Sequence, residues 1–156
     1  YGVPYRGVRL CHTFGAGIAL DDGRAFAEFL NNVIRGEDIV LHSDGSAART
    51  YTYTPDAVGA MFVVATKGKD GEFYNVANLG NIISIRDLAQ LIADLDAEGK
   101  TKVRYDDAEK GKLQYLPFHL GIMNVDKIEK LGWRARVGLR DAFRYTLEFY
   151  QQRSVS

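Results

Sequence analysis

Arg49 to Val76 reads R-T-Y-T-Y-T-P-D-A-V-G-A-M-F-V-V-A-T-K-G-K-D-G-E-F-Y-N-V. Three rules govern its three parts. Arg49 to Tyr53 alternates side-chain type with the period of a strand. Thr54-Pro55-Asp56 is a helix start: a hydroxyl able to cap, Pro at the first position, then an acid. That helix is predicted to run to about Thr66 and to end in Gly68, after which Phe73 to Val76 is a second strand. Strands separated by helices pair in parallel, which makes this an α/β pattern.

The alternation extends in both directions. Arg6 to Phe14 is predicted as one strand, closed by Gly15 and Gly17. A helix follows from Gly23 to Arg35, with Phe26, Phe29, Leu30, Val33 and Ile34 on one face. Asp21 and Asp22 suit its positive end, and Gly36 suits its stop. Ile39 to Leu41 is a short strand, and Ser43-Asp44-Gly45-Ser46 is a turn. Downstream, Ser84 and Asp87 form a box-like cap for a helix that buries Leu88, Leu91, Ile92 and Leu95. Lys102 to Tyr105 reads as a strand and Asp106 to Gly121 as a loop. Asn124 caps a short helix through Leu131, stopped by Gly132. Leu139 to Gln152 is the last helix, with Phe143, Leu147 and Tyr150 on one side.

Composition narrows the function classes. The chain has 156 residues, with 20 Lys plus Arg against 20 Asp plus Glu, so its formal net charge is zero. A neutral surface argues against nucleic acid as partner, because a phosphate backbone selects clustered cations. One Cys excludes an internal disulfide, and one Cys with three scattered His speaks against structural zinc. No apolar run is long enough for a bilayer, so no membrane partner is expected. No signal peptide opens the chain, and a cytoplasmic location is the expectation. Tyr1 is not a start methionine, which points to a removed segment or to a piece of something larger.

Several motifs carry less than they suggest. Gly15-Ala16-Gly17-Ile18-Ala19-Leu20 begins like a dinucleotide fingerprint, but Leu20 stands where a small residue is needed and no helix opens at once. No phosphate loop of the G-x-x-x-x-G-K-[ST] kind occurs. Asp21-Asp22 and Asp106-Asp107 read as solvated turns. His12, His42 and His119 have no metal-like spacing. Cys11 and His12 are neighbours in a predicted strand and point to opposite faces, so they make no nucleophile–base dyad. Ser43 to Asp56 is different. Arg49 is the only Lys or Arg between Arg35 and Lys67, and a guanidinium is the group that best forks onto phosphate or carboxylate. The plain alternative is a surface Arg paired with Asp44 or Asp56.

Five motifs in order resemble the C-terminal half of the extended short-chain dehydrogenases, the NAD-dependent nucleoside-diphosphate-sugar epimerases, dehydratases and decarboxylases. Arg9-Leu10-Cys11-His12-Thr13-Phe14-Gly15-Ala16 is similar to that family's R-x-x-N-x-Y-G-P. Asp22-Gly23-Arg24 with Phe29 is similar to its D-G-R-x-x-x-x-F. Gly36 to Asp56 follows its G-E-P-L-x-V-Y-G-D-G-x-Q-x-R-x-x-x-Y-V-x-D without a gap. Tyr74-Asn75-Val76-Ala77 resembles Y-N-[VI]-[GA], and Lys127 to Trp133 resembles K-x-x-x-L-G-W before a last helix.

The resemblance implies a late Rossmann strand followed by a sugar-nucleotide-binding α/β subdomain. It implies that Arg49 holds a diphosphate, that Arg24 touches the nucleotide at a helix start, that His42 packs on the base, and that His12 replaces an Asn on the phosphate or sugar side. Phe14 and Ala16 stand where the family has Tyr and Pro, and Leu116 to Leu120 carries no Arg where many members have a second one. The family's chemistry needs a glycine-rich loop and a Tyr-x-x-x-Lys pair, and that spacing occurs nowhere in this sequence. The resemblance places both upstream of Tyr1, since the family's catalytic helix ends at a Tyr-Gly-Val-Pro like that of residues 1 to 4. The expectation is therefore a C-terminal portion spanning residues 1–156, inactive alone. NAD or NADP belongs to the parent enzyme, and none is expected for this chain. The expected partners are a nucleoside-diphosphate sugar, the missing N-terminal Rossmann part, and further copies of the chain in a homo-oligomer. The alternative is a non-catalytic nucleotide-sugar-binding or interaction module.

Overall fold

A computed structural model describes residues 2–106 and 122–153. The loop expected over Asp106–Gly121 lies outside the described residues from 107 onward, and His119 and Leu116–Leu120 lie outside with it. The described residues divide into two units: 2–15, 50–82 and 122–139, and 16–49, 83–106 and 140–153.

In the first unit, strand β1 (Arg6–Leu10) runs parallel to β5 (Glu72–Val76), with Val8 opposite Tyr74. Strand β2 (His12–Phe14) runs parallel to β4 (Ala48–Tyr53), with Thr13 opposite Thr52. The single strand expected over Arg6–Phe14 is therefore two strands, because the chain changes neighbour at Cys11. The Cys11 N–H still reaches Val76 O at 3.2 Å, while its thiol turns to Thr52 Oγ1 at 3.0 Å. Helix α2 (Thr54–Lys67) packs on β1, β2 and β5 through Ala57, Ala60 and Val64. These fall at i, i+3 and i+7, the spacing of one helical face. Tyr53, not Thr54, holds the N-cap position of α2 and makes no side-chain cap bond; Thr54 and Pro55 are already helical. Proline tolerates that place because the first N–H groups of a helix have no intrahelical partner.

The core of this unit gathers Val64, Tyr74 and Val76 with Val125, Ile128 and Trp133. Ile128 comes from helix α4 (Asp126–Glu129), whose N-cap position is Val125. Asn124 does not take that position. Its Oδ1 accepts from Asp126 N at 2.9 Å, a local turn of the kind asparagine favours.

In the second unit, helix α1 (Ala25–Arg35) packs on α3 (Ile85–Ala93) and on strand β3 (Ile39–Leu41). Phe26, Phe29 and Leu30 of α1 are buried, as are Leu88 and Ile92 of α3. Ile34, Leu91 and Leu95 are only half-buried. Strand β7 (Val103–Tyr105) runs parallel to β3, with Ile39 opposite Val103. Helix α5 (Leu139–Arg153), which belongs to this unit beyond its first residue, sets Phe143 edge-on to Phe26 at 6.4 Å between ring centroids. Gly36 closes α1 at φ 67°, with its N–H on Val33 O and that of Glu37 on Asn32 O. A short strand β6 (Ile82–Ser84) leads into α3, where Ser84 Oγ accepts from Asp87 N as the sequence predicts. All three registers are parallel, so the α/β reading holds.

Candidate functional site

Arg24, His42 and Arg49 belong to the second unit and His12 to the first. The loop between β3 and β4 carries His42 at its start and delivers Arg49 at its end. It is stitched to the opening turn of α3: Arg86 N donates to Gly45 O and Ile85 N to Ala47 O, each at 3.0 Å. Gly45 sits at φ 64°, and a Cβ there would lie 2.7 Å from Arg86 Cβ and 2.9 Å from Arg86 N. Only glycine fits that place. Within the loop, Asp44 accepts from the backbone N–H and the hydroxyl of Ser46. The Ser46 N–H holds the Asp44 carboxyl below its ordinary range, with the hydroxyl as the next cause.

Arg49 then enters β4 half-buried, and its Nη1 donates to Ala48 O at 2.8 Å. The plain alternative names Asp44 and Asp56 as its partners. Asp44 accepts from Ser46, and Asp56 accepts from the backbone N–H groups of Arg136 and Val137 at 3.0 and 2.9 Å.

His42 follows β3 and faces the residue that follows β7: its Nδ1 lies 3.3 Å from Asp106 Oδ2. Of the two acid pairs expected as solvated turns, Asp106 is thus engaged by an imidazole, and Asp107 lies outside the described residues. The other pair is an exposed turn, as expected. Asp22 accepts from Arg24 N at 2.9 Å and forms an ion pair with the Arg24 guanidinium. That guanidinium is the main cause holding the Asp22 carboxyl below its usual range. Arg24 stands at the N-cap position of α1, where its carbonyl accepts from Ala27 and Glu28, and its guanidinium lies 4.7 Å from the Phe26 ring centroid.

His12 lies in β2, edge-on to Tyr51 at 5.6 Å between centroids. Its neighbour Cys11 is no activated nucleophile. Burial pushes the Cys11 thiol up, outweighing the hydrogen bond from Thr52.

Sequence reasoning misses the role of Asp56. The helix-start pattern gives it only as an acid in the first turn, yet it is buried and clamps residues 136–137, while its own carbonyl accepts from Trp133 Nε1 at 3.1 Å. Asn78 and Asn81 add side-chain bonds to Val137 O. The signal in the sequence is Asp56 itself, the last residue of the Gly36–Asp56 motif.

Residues 1–77 match the model of the NAD dependent epimerase/dehydratase family. The dTDP-D-glucose 4,6-dehydratase of Bos taurus is 27% identical over 135 residues, which cover 83% of this chain and 36% of that protein. The UDP-glucuronic acid decarboxylase 4 of Arabidopsis thaliana is 27% identical over 158 residues, covering 97% of this chain and 32% of that protein. This chain resembles the NAD-dependent epimerase/dehydratase family over its first 77 residues. It spans about a third of the length of these curated relatives. Among solved structures, the UDP-glucose 4-epimerase of Thermotoga maritima, crystallised with UDP-glucose, matches all of this chain and 48% of its own, with a TM-score of 0.80 at 23% identity. The dTDP-glucose 4,6-dehydratase of Bacillus anthracis, in complex with NAD, matches 96% of this chain and 45% of its own, with a TM-score of 0.74 at 18% identity. At these identities the likeness is one of Rossmann-type fold.

The epimerase/dehydratase family is NAD-dependent, so the residues present can be tested against that cofactor. A dinucleotide cradle needs a glycine turn running straight into a free helix N-terminus. After Gly17, α1 begins only at Ala25. The first N–H groups of α3 are taken by Ala47 O, Gly45 O and Ser84 Oγ. Neither the Gly15–Gly17 loop nor the N-terminus of α3 forms such a cradle, and no hydride step is assigned to them.

Proposed function

We propose that this chain supplies the sugar-nucleotide-binding portion of an NAD(P)-dependent nucleoside-diphosphate-sugar epimerase, dehydratase or decarboxylase. Arg49 is the main diphosphate contact, Arg24 a second cationic contact and His42 the base contact. The observation that carries this reading is the setting of Arg49. It leaves a loop whose backbone is bonded to α3, so the guanidinium starts from a supported position, and binding groups work best on such supports. The names of the relatives support the substrate class, since both curated ones act on nucleoside-diphosphate sugars. The order of the five motifs supports the C-terminal placement.

In this reading the reaction needs a second part, the N-terminal Rossmann portion with its glycine loop and Tyr–Lys pair. The chain alone binds without turning over. The alternative, a non-catalytic nucleotide-sugar-binding or interaction module, is favoured by the altered His12 and by the lack of an Arg in the sequence Leu116 to Leu120.

Calorimetric titration with UDP, UDP-glucose and dTDP-glucose tests the reading. A hydrogen bond to a charged group contributes about 1.5–3 kcal/mol, so Arg49→Ala should weaken these ligands roughly tenfold or more. Equal binding by both proteins would remove Arg49 from the site.

A further inference from the structure

We propose that Asp22 is the positioning residue that fixes the Arg24 guanidinium for a phosphate, an inference that rests on the reading of Arg24 as a cationic contact. Both residues lie in the turn that leads into α1. Arg24 N donates to Asp22 Oδ1 at 2.9 Å, and Arg24 Nε donates to Asp22 Oδ2 at 2.7 Å, with Nη2 on the same oxygen. The carboxylate thus takes one edge of the guanidinium. A ring takes its face, since the guanidinium carbon lies 4.7 Å from the Phe26 centroid. Phe26 is itself buried and packed edge-on against Phe143 of α5, so it offers a fixed surface.

A guanidinium carries five N–H groups in a planar array, and a carboxylate on Nε and Nη2 uses two of them. The hydrogens of Nη1 and the second hydrogen of Nη2 remain. On the far edge one hydrogen from each of these nitrogens runs parallel to the other, a fork that matches two oxygens of one phosphate. The Arg24 side chain is 45% exposed, which leaves that edge within reach of a ligand. Asp22 has two opposite effects on such a ligand. Its charge repels an arriving phosphate, but beside an exposed ion pair that repulsion acts through water and salt and is small. Its bonds order a side chain that would otherwise sample many rotamers, so the ligand does not have to immobilise it. The second effect is the larger. Asp22 aids binding by holding Arg24, without touching the ligand itself.

The test uses the full 156-residue chain with UDP and inorganic pyrophosphate as probes. Asp22→Asn keeps an oxygen for the Arg24 N–H and turns an amide NH2, a donor, toward the guanidinium. It should weaken both probes about fivefold, the scale of immobilising one flexible side chain. In an Arg24→Ala background the same substitution should change neither affinity. Equal weakening in the two backgrounds would make Asp22 a structural turn residue and overturns the proposal. Unchanged or tighter binding by Asp22→Asn, with Arg24→Ala still weakening it, overturns the proposal and leaves Arg24 standing as a contact. Weaker UDP with unchanged pyrophosphate overturns the phosphate fork. Indifference of both probes to Arg24→Ala, with UDP still weakened by Arg49→Ala, removes Arg24 and this proposal but leaves the Arg49 site. Failure of UDP to bind removes the site and the proposal together.

Discussion

Replacing Gly45 by alanine tests whether the β3–β4 loop is held by its seat on α3. Two costs combine. The residue adopts φ 64°, where an L side chain loses roughly 1–2 kcal/mol. The new Cβ would also sit 2.7 Å from Arg86 Cβ and 2.9 Å from Arg86 N, closer than real carbons approach. The second contact is to backbone, so rotating a side chain cannot relieve it. Overpacking of this kind costs about 1–3 kcal/mol. Stiffening of the unfolded chain returns about 0.4–1 kcal/mol.

Gly36→Ala is the internal control. Gly36 has nearly the same angle, φ 67°, and nothing within 4 Å of its would-be Cβ. It should lose about 1 kcal/mol from backbone strain alone. Gly45→Ala should lose about 2–4 kcal/mol, and the difference between the two isolates the Arg86 contact. In a chain of this size 1 kcal/mol moves Tm by about 2–4 °C, so the two variants should melt several degrees apart. Urea titration supplies the same comparison at one temperature. Equal losses would refute the argument, since they would mean that the loop lifts off α3 at no cost. A Gly45→Ala protein that keeps its stability but loses UDP affinity would instead show the loop shifting as a unit.

Two further expectations concern carboxylates. Asp56→Ala removes the acceptor of two backbone N–H groups, and each unsatisfied buried donor costs about 1–3 kcal/mol, so a loss of about 2–5 kcal/mol is expected in urea unfolding. Asp56→Asn keeps a side-chain oxygen and should retain more than half of that stability; equal losses in the two variants would refute the clamp. Asp96 accepts from the backbone N–H groups of Thr101, Lys100 and Glu98. The Thr101 bond leads in holding its carboxyl below the ordinary aspartate range, against a smaller opposing push from burial. A depressed folded value means that the carboxylate's stabilisation is present above the unfolded value, about 3.9, and fades as pH falls through the folded one. Asp96→Asn should therefore flatten the acid limb of the stability profile below about pH 4. An unchanged limb in that variant would refute the assignment.

The elements legible in the sequence are those whose cause is local. Ser84 with Asp87, Gly36 after Arg35, and the apolar spacing of Phe26, Phe29 and Leu30 in α1 and of Leu88 and Ile92 in α3 each act within a few residues, and each stands where its pattern puts it. The break at Cys11 is not legible, because nothing near Cys11 says that β1 will pair with β5 and β2 with β4. That switch is set by strands dozens of residues away. Thr54 fails as a cap for a similar reason. The strand β4 runs straight into α2, so the last extended residue, Tyr53, takes the capping place.

The site residues show the same division. Arg49, Arg24 and His42 can be singled out by type and motif, but their surroundings cannot. The bond from Arg86 to Gly45 and the approach of Asp106 to His42 join residues forty and more apart in sequence. Gly45 has two meanings for the same reason. In the sequence it is a turn glycine like any other, permissive of a positive φ. In the fold its missing Cβ is the space that Arg86 occupies, and the comparison of Gly45→Ala with Gly36→Ala separates those two meanings of one residue type.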